Sequence, residues 1–191
     1  MTEQDNGRIR CAASMLVVVD IQARLAPAIS GIDGVIARTS ALIEGARGLA
    51  VPVVFTEQYP SGLGPTAPAL RSLAPEAPVI EKIHFDVMAE PHAPAAFAAT
   101  GRQTAVVTGT EAHVCVMQSC HGLMDAGYRV ALVVDAIGSR REVDRQAAIA
   151  ALTRRGALTV TTEMVLFQWL ERGDTDAFRA LLPTIRDLST V

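Results

Sequence analysis

Residues 15–20 read Met15-Leu16-Val17-Val18-Val19-Asp20, five apolar residues ended by an acid. A run that is continuously apolar and β-branched, rather than alternating, suits a strand covered on both faces, as in a parallel sheet. Similar runs follow at 51–55, 104–108 and 130–134, and two weaker ones at 77–80 and 158–161 bring the expected strands to six. Between them the apolar spacing turns helical: positions 35, 36, 42, 43, 46 and 49 in one segment, and Ala147, Ala148, Ala151 and Leu152 within 143–155 in another. Gly101, Gly127 and Gly156 stand where three helices would end, since glycine readily adopts the left-handed conformation that closes a helix. Strands alternating with helices predict a three-layer α/β fold, a six-stranded parallel sheet with helices on both faces.

The chain has 191 residues, half of them hydrophobic, and a formal charge of -3 from 17 basic and 20 acidic side chains. A chain of this length buries roughly 70% of the surface its unfolded form exposes, so one core suffices without disulfide or metal staples. We therefore expect a single domain over 1–191, with a polar, flexible N-terminus over 1–12. Three cysteines, an odd number, fit no disulfide framework. The charge balance gives no basic face for nucleic acid. Nothing approaches the roughly 20 apolar residues of a membrane span, and the opening MTEQDNGRIR is too polar for a secretory signal. The expectation is a cytoplasmic protein whose partner is a small molecule. The Pro- and Gly-rich stretch 59–78 interrupts the alternation without ending it, and reads as an irregular loop over the active face rather than a linker.

Open α/β sheets bind ligands beyond the carboxyl ends of their strands. Asp20, Lys82 and Cys115 each fall at such an end, in three different strand–helix units. An acid, an amine and a thiol would share one rim. A thiol of ordinary pKa is mostly protonated at neutral pH, and needs a base, a cation or a helix N-terminus to become a nucleophile. Lys82 and the turn before Cys115 favour the thiolate; Asp20 opposes it and serves as a base. If the cationic influences win, Cys115 alkylates faster than Cys11 or Cys120 near neutral pH.

Three segments, Val17-Val18-Val19-Asp20-Ile21-Gln22, Glu81-Lys82-Ile83-His84-Phe85 and Val107-Thr108-Gly109-Thr110-Glu111-Ala112-His113-Val114-Cys115-Val116, resemble the signatures of the isochorismatase-like cysteine hydrolases in order and spacing. Similarity continues through 134–140 and 161–167, nearly the whole chain. The resemblance implies an Asp20-Lys82-Cys115 triad and a cis peptide between Thr110 and Glu111, with the backbone amides of Glu111 and Cys115 as an oxyanion hole. Family members that hydrolyse isochorismate lack the cysteine, so Cys115 points to attack on an acyl or amide carbon. Nicotinamidases carry an Asp-x-His metal cluster where this chain has Thr56-Glu57-Gln58-Tyr59-Pro60, which implies the branch without that metal site. The expected activity is cleavage of a C–N bond in a small amide or related acyl compound through a Cys115 thioester, without cofactor or metal, by a homo-oligomer. The alternative is a non-hydrolytic, redox-responsive or scaffolding oligomer whose reactive cysteine is oxidised. Gln22, Gln58, Tyr59, Phe85 and Gln118 are the expected substrate-binding residues.

Other groupings carry less. His113, Cys115, Cys120 and His121 suggest zinc, but on an α-helix Cys115 and Cys120 point about 140° apart and cannot share an ion. Gly62-Leu63-Gly64 opens no expected phosphate-binding helix. His84 and His92 read as surface or rim residues. Asp135 reads as a strand-end residue that organises loops, and Phe167, Trp169 and Leu170 as core or a subunit contact.

Overall fold

The computed structural model describes residues 7–188. Six strands, β1 (Ser14–Val19), β2 (Val53–Gln58), β3 (Val79–Lys82), β4 (Thr104–Thr110), β5 (Arg129–Gly138) and β6 (Leu158–Val160), form one sheet in the order β3-β2-β1-β4-β5-β6. Every pairing is parallel. The helices are α1 (Ile32–Gly48), α2 (Pro60–Leu63), α3 (Pro68–Arg71), α4 (Ala93–Ala99), α5 (Met117–Asp125), α6 (Glu142–Arg155), α7 (Thr162–Leu170) and α8 (Asp176–Asp187).

The strand side chains alternate between two cores. Leu16 and Val18 pack into the core shared with α1, α7 and α8, whereas Met15, Val17 and Val19 enter the one shared with α4, α5 and α6. Both faces of the sheet are thus apolar, which is why the strands read as unbroken hydrophobic runs. The expected three-layer architecture is the one observed.

Strand order reverses between β1 and β4, because the chain adds β2 and β3 on one side of β1 before crossing to the other. That reversal opens a crevice at the carboxyl ends of β1 and β4. The two strands approach closely there. A Cβ at Gly109 would stand 2.2 Å from the Val19 carbonyl oxygen, and Gly109 has φ of 143°, so only glycine lets β4 lie against the residue before Asp20.

Two expectations about loops need correction. The 59–78 stretch contains α2 and α3, each begun by a proline, whose fixed φ is preorganised for a first helical turn. The flexible N-terminus expected over 1–12 falls partly outside the described residues, at 1–6. From Ile9 onward it is tied down: Ile9 is fully buried, its amide donates to Gln168 Oε1 at 2.9 Å, and 11–13 form a 3₁₀ turn.

Candidate active site

Asp20 directly follows β1 and adopts a left-handed backbone, φ 49°. That strain is held from several sides. Its amide donates to the Thr56 carbonyl at 3.2 Å, and Thr110 Oγ1 donates to its carbonyl at 2.5 Å. Thr56 Oγ1 donates to Oδ1 at 2.6 Å, which fixes the carboxylate. Lys82, the last residue of β3, places Nζ 2.7 Å from Oδ2, and both side chains are wholly excluded from solvent. Apart from this Lys82 contact, Oδ2 has no hydrogen-bond partner, so it keeps lone-pair capacity to accept a proton.

The ammonium is fully occupied. Besides Asp20 it donates to Gln58 Oε1 at 2.7 Å and lies 3.5 and 3.4 Å from the carbonyls of His84 and Phe85. Gln58 links the ion pair to the thiol, for Cys115 Sγ approaches the same Oε1 at 3.9 Å. Asp20, Lys82 and Cys115, far apart in sequence, are therefore gathered at one end of the sheet, with Asp20 and Lys82 both close enough to perturb the thiol.

Cys115 sits in a wide turn over Ala112–Val116, where the Val116 amide reaches back five residues to the Glu111 carbonyl at 3.3 Å. Such π-turns are uncommon and concentrate at functional sites. Glu111 starts the turn with φ 53° and ψ 65°. The expected cis peptide before Glu111 is not found: no described peptide bond is cis. The chain turns instead through the left-handed Glu111. Glu111 is held by Arg140 Nε at 2.6 Å and by His113 Nδ1 at 3.3 Å, while His113 Nδ1 also meets Ser139 Oγ at 3.1 Å.

Burial dominates the thiol's electrostatics. Desolvation and the Asp20 carboxylate push the Cys115 pKa up to about 12, against the opposing pull of Lys82. The sequence weighs cations against anions but does not display the burial, so the cationic advantage expected of Lys82 is outweighed. Cys120 is pushed up further by complete burial, and Cys11 is raised by partial burial.

The expected binding residues divide. Gln22 is fully buried: its Nε2 donates to the carbonyls of Gln58 and Gly64 at 3.0 and 2.6 Å, and its Oε1 accepts from the Gln58 amide at 2.9 Å. It ties the loop after β2 to that after β1. Gln58 is buried beside the ion pair, Tyr59 and Phe85 are exposed, and Gln118 is half-buried on α5. Three further residues serve the site. Thr56 and Thr110 secure Asp20; Ser119 on α5 accepts from the Val87 amide at 3.1 Å and donates to the Phe85 carbonyl at 3.2 Å, tying the loop after β3 to the Cys115 helix. Polar residues at strand ends were the available signal for both threonines; nothing in the spacing marks Ser119. His84 is exposed and paired with Glu90, whose carboxyl is held down to about 2, first by the His84 and Ile83 amides. Asp135 lies inside β5 rather than at its end, since the strand runs on to Gly138, and it accepts from the amide and hydroxyl of Thr162 at the start of α7. Trp169 is core, its Nε1 donating to Ser14 Oγ at 3.1 Å. Among the described residues no three His, Cys, Asp or Glu side chains are grouped to hold an ion.

Residues 14–164 match the Isochorismatase domain. The chain belongs to the isochorismatase family. Isochorismatase domain-containing protein 1 of Danio rerio is 35% identical over 181 residues, 94% of this chain, and the chain spans 63% of that relative's length. A structure described as the MAR1 ribonuclease of Caenorhabditis elegans is 34% identical with a TM-score of 0.87, covering 94% of this chain and 92% of that one. YcaC from Pseudomonas aeruginosa, solved with hexane-2,5-diol and covalent acrylamide, is 26% identical with a TM-score of 0.88 and 98% coverage of both chains.

Proposed function

We propose that this isochorismatase-family protein is a cysteine hydrolase that cleaves a C–N bond of a small amide or related acyl compound. The observation that carries the reading is the buried Asp20–Lys82 ion pair at 2.7 Å with the Cys115 thiol beside it. Buried charges are costly to keep unless they do chemistry or are fully paired. Because the thiol rests protonated, activation must accompany attack. Asp20 Oδ2 takes the proton as Cys115 Sγ bonds to the carbonyl carbon, and the Lys82 ammonium stabilises charge developing on sulfur.

The carbonyl oxygen becomes an oxyanion, for which we assign the backbone amides of Glu111 and Cys115 in the left-handed turn; donors of this kind are worth about 10²–10³ in rate. Collapse breaks the C–N bond, and Asp20 returns its proton to the leaving nitrogen, giving a Cys115 thioester and a free amine or ammonia. Water then gives a proton to Asp20 and attacks the thioester carbon. The carboxylic acid leaves and the proton returns to sulfur.

A thiol held protonated is a poor target for peroxide, since oxidation follows thiolate character, so hydrolysis is favoured over a redox role. The name of the Caenorhabditis elegans relative raises RNA cleavage. A site built on one neutralised ion pair, in a chain of net charge -3, offers little to a polyanion. The test is an amide panel read by ammonia release, with acid-quenched peptide mapping. An acyl mass on the Cys115 peptide supports the proposal. Labelled RNA cut by the wild type and not by Cys115→Ala would displace it.

A further inference from the structure

We infer that the site takes uncharged amides with an apolar acyl group, alkyl or aromatic, seated against Tyr59, Ile83 and Phe85. This rests on the hydrolase reading above and narrows its substrate. Two observations lead to it, one electrostatic and one of surface chemistry.

The electrostatic observation is that the site has no charge to spare. Asp20 and Lys82 cancel, and the ammonium's donors are taken by Asp20, Gln58 and the carbonyls after β3. Gln58 Nε2 donates to the Ile83 carbonyl at 2.8 Å, and the Gln22 amide is spent on backbone. Glu57 accepts from the Thr66 amide and hydroxyl. At the rim His84 is paired with Glu90, and Glu81 is exposed. On the Tyr59 side Arg24 donates Nη1 to the carbonyls of Ser61 and Gly62 at 3.4 and 3.0 Å. On the Cys115 side Arg140 is bound to Glu111. A carboxylate or phosphate entering the buried part of the site would lose its hydration and meet no cation beyond the already paired Lys82, which disfavours binding.

The second observation is an apolar rim. Tyr59, Ile83 and Phe85 are 54%, 66% and 49% exposed, three of the six large hydrophobic side chains left open among the described residues. Each is fixed by its backbone to the ion pair or to Gln58. The Tyr59 amide donates to the Lys82 carbonyl at 2.9 Å, the Ile83 carbonyl accepts from Gln58, and the Phe85 carbonyl lies 3.4 Å from Lys82 Nζ. Tyr59 is moreover locked in place. Its backbone is left-handed at φ 41°, and its ring lies against Gly62 so closely that a Cβ there would stand 2.4 Å from Cδ1 and Cε1. An apolar surface whose backbone is bonded to Lys82 and Gln58 is suited to bind apolar groups at low entropic cost. The reaction agrees with this: a neutral amide and water give an anionic acid, which the site has no free cation to retain.

The test compares hexanamide, benzamide, acetamide and glutaramate by ammonia release. Hexanamide and benzamide should exceed acetamide in kcat/KM by about tenfold or more, and glutaramate, similar in length but anionic, should fall below hexanamide. Tyr59→Ala should collapse the hexanamide-to-acetamide ratio towards one, Gly62→Ala should shrink it by displacing the ring, and Tyr59→Phe should preserve it. Glutaramate equal to or better than hexanamide overturns the inference, as does a ratio indifferent to Tyr59→Ala. If the wild type cleaves no amide, the hydrolase reading fails, and the inference is judged on Cys115 alkylation. Iodoacetamide favoured over iodoacetate by about tenfold beyond their ratio with glutathione upholds its exclusion of anions; equal or reversed preference overturns it.

Discussion

In the proposed mechanism Cys115 acts from a protonated thiol beside a carboxylate, and that state has measurable consequences. With its pKa pushed up to about 12 by burial and by Asp20, alkylation by iodoacetamide should keep accelerating between pH 7 and 10, because the thiolate fraction keeps growing. A plateau near pH 8 in the rate of Cys115 labelling would contradict this. Thr56 offers a second check. Thr56→Val keeps the shape but removes the 2.6 Å hydrogen bond to Asp20 Oδ1; a bond to a charged group is worth about 1.5 kcal/mol or more, so kcat should drop about tenfold with KM nearly unchanged. An unaltered kcat would mean that Asp20 is oriented without Thr56. At this scale the sequence was informative about identity and blind to environment: acid, amine and thiol at strand ends could be read from spacing. The burial that reverses the expected thiol shift, and the commitment of both Gln22 side-chain groups to loop backbone, exist only once distant segments meet.

The strands and turns that deliver these residues are themselves testable. Gly109→Ala would push a methyl group into the Val19 carbonyl, so chemical denaturation should show a loss of about 2 kcal/mol or more, and the strain should reach Asp20 directly. A stability equal to wild type would show that β1 and β4 can separate freely at the crevice. β1 and β4 were legible to within two residues because both of their faces are apolar. β2 was not: its expected span, 51–55, starts early and stops short, since Thr56, Glu57 and Gln58 remain in the strand as polar residues buried by the site they serve. Proline-started α2 and α3 escaped notice because four-residue helices show no periodicity. The turn before Cys115 was placed correctly, yet its backbone was not: a left-handed trans residue and a cis bond redirect a chain to similar effect, and the composition of 110–115 does not separate them.

The whole molecule brings three strand ends to one buried ion pair while both faces of the sheet stay covered, and its global properties should reflect that buried, neutral thiol. A group whose folded pKa exceeds its ordinary value contributes stability below the ordinary pKa and loses it as pH rises towards the folded one. For Cys115 that window runs from about 9 to about 12. Wild-type stability should therefore fall more steeply than that of Cys115→Ala over this interval, and parallel curves would contradict it. Activity should survive exhaustive chelation, because Thr56, Glu57 and Gln58, where nicotinamidases hold their metal, are engaged with Asp20, Thr66 and Lys82. Loss of turnover on chelation, restored by zinc or iron, would refute this. The expected homo-oligomer is weighed by light scattering, with a mass of at least two 20.2 kDa chains anticipated and a single-chain mass against it. The most direct test of Cys115 as nucleophile is ammonia release by Cys115→Ala on the best amide of the panel, with its circular dichroism and melting curve alongside. A folded variant with turnover at the uncatalysed background is the expected result, and multiple turnover by that variant would contradict the mechanism.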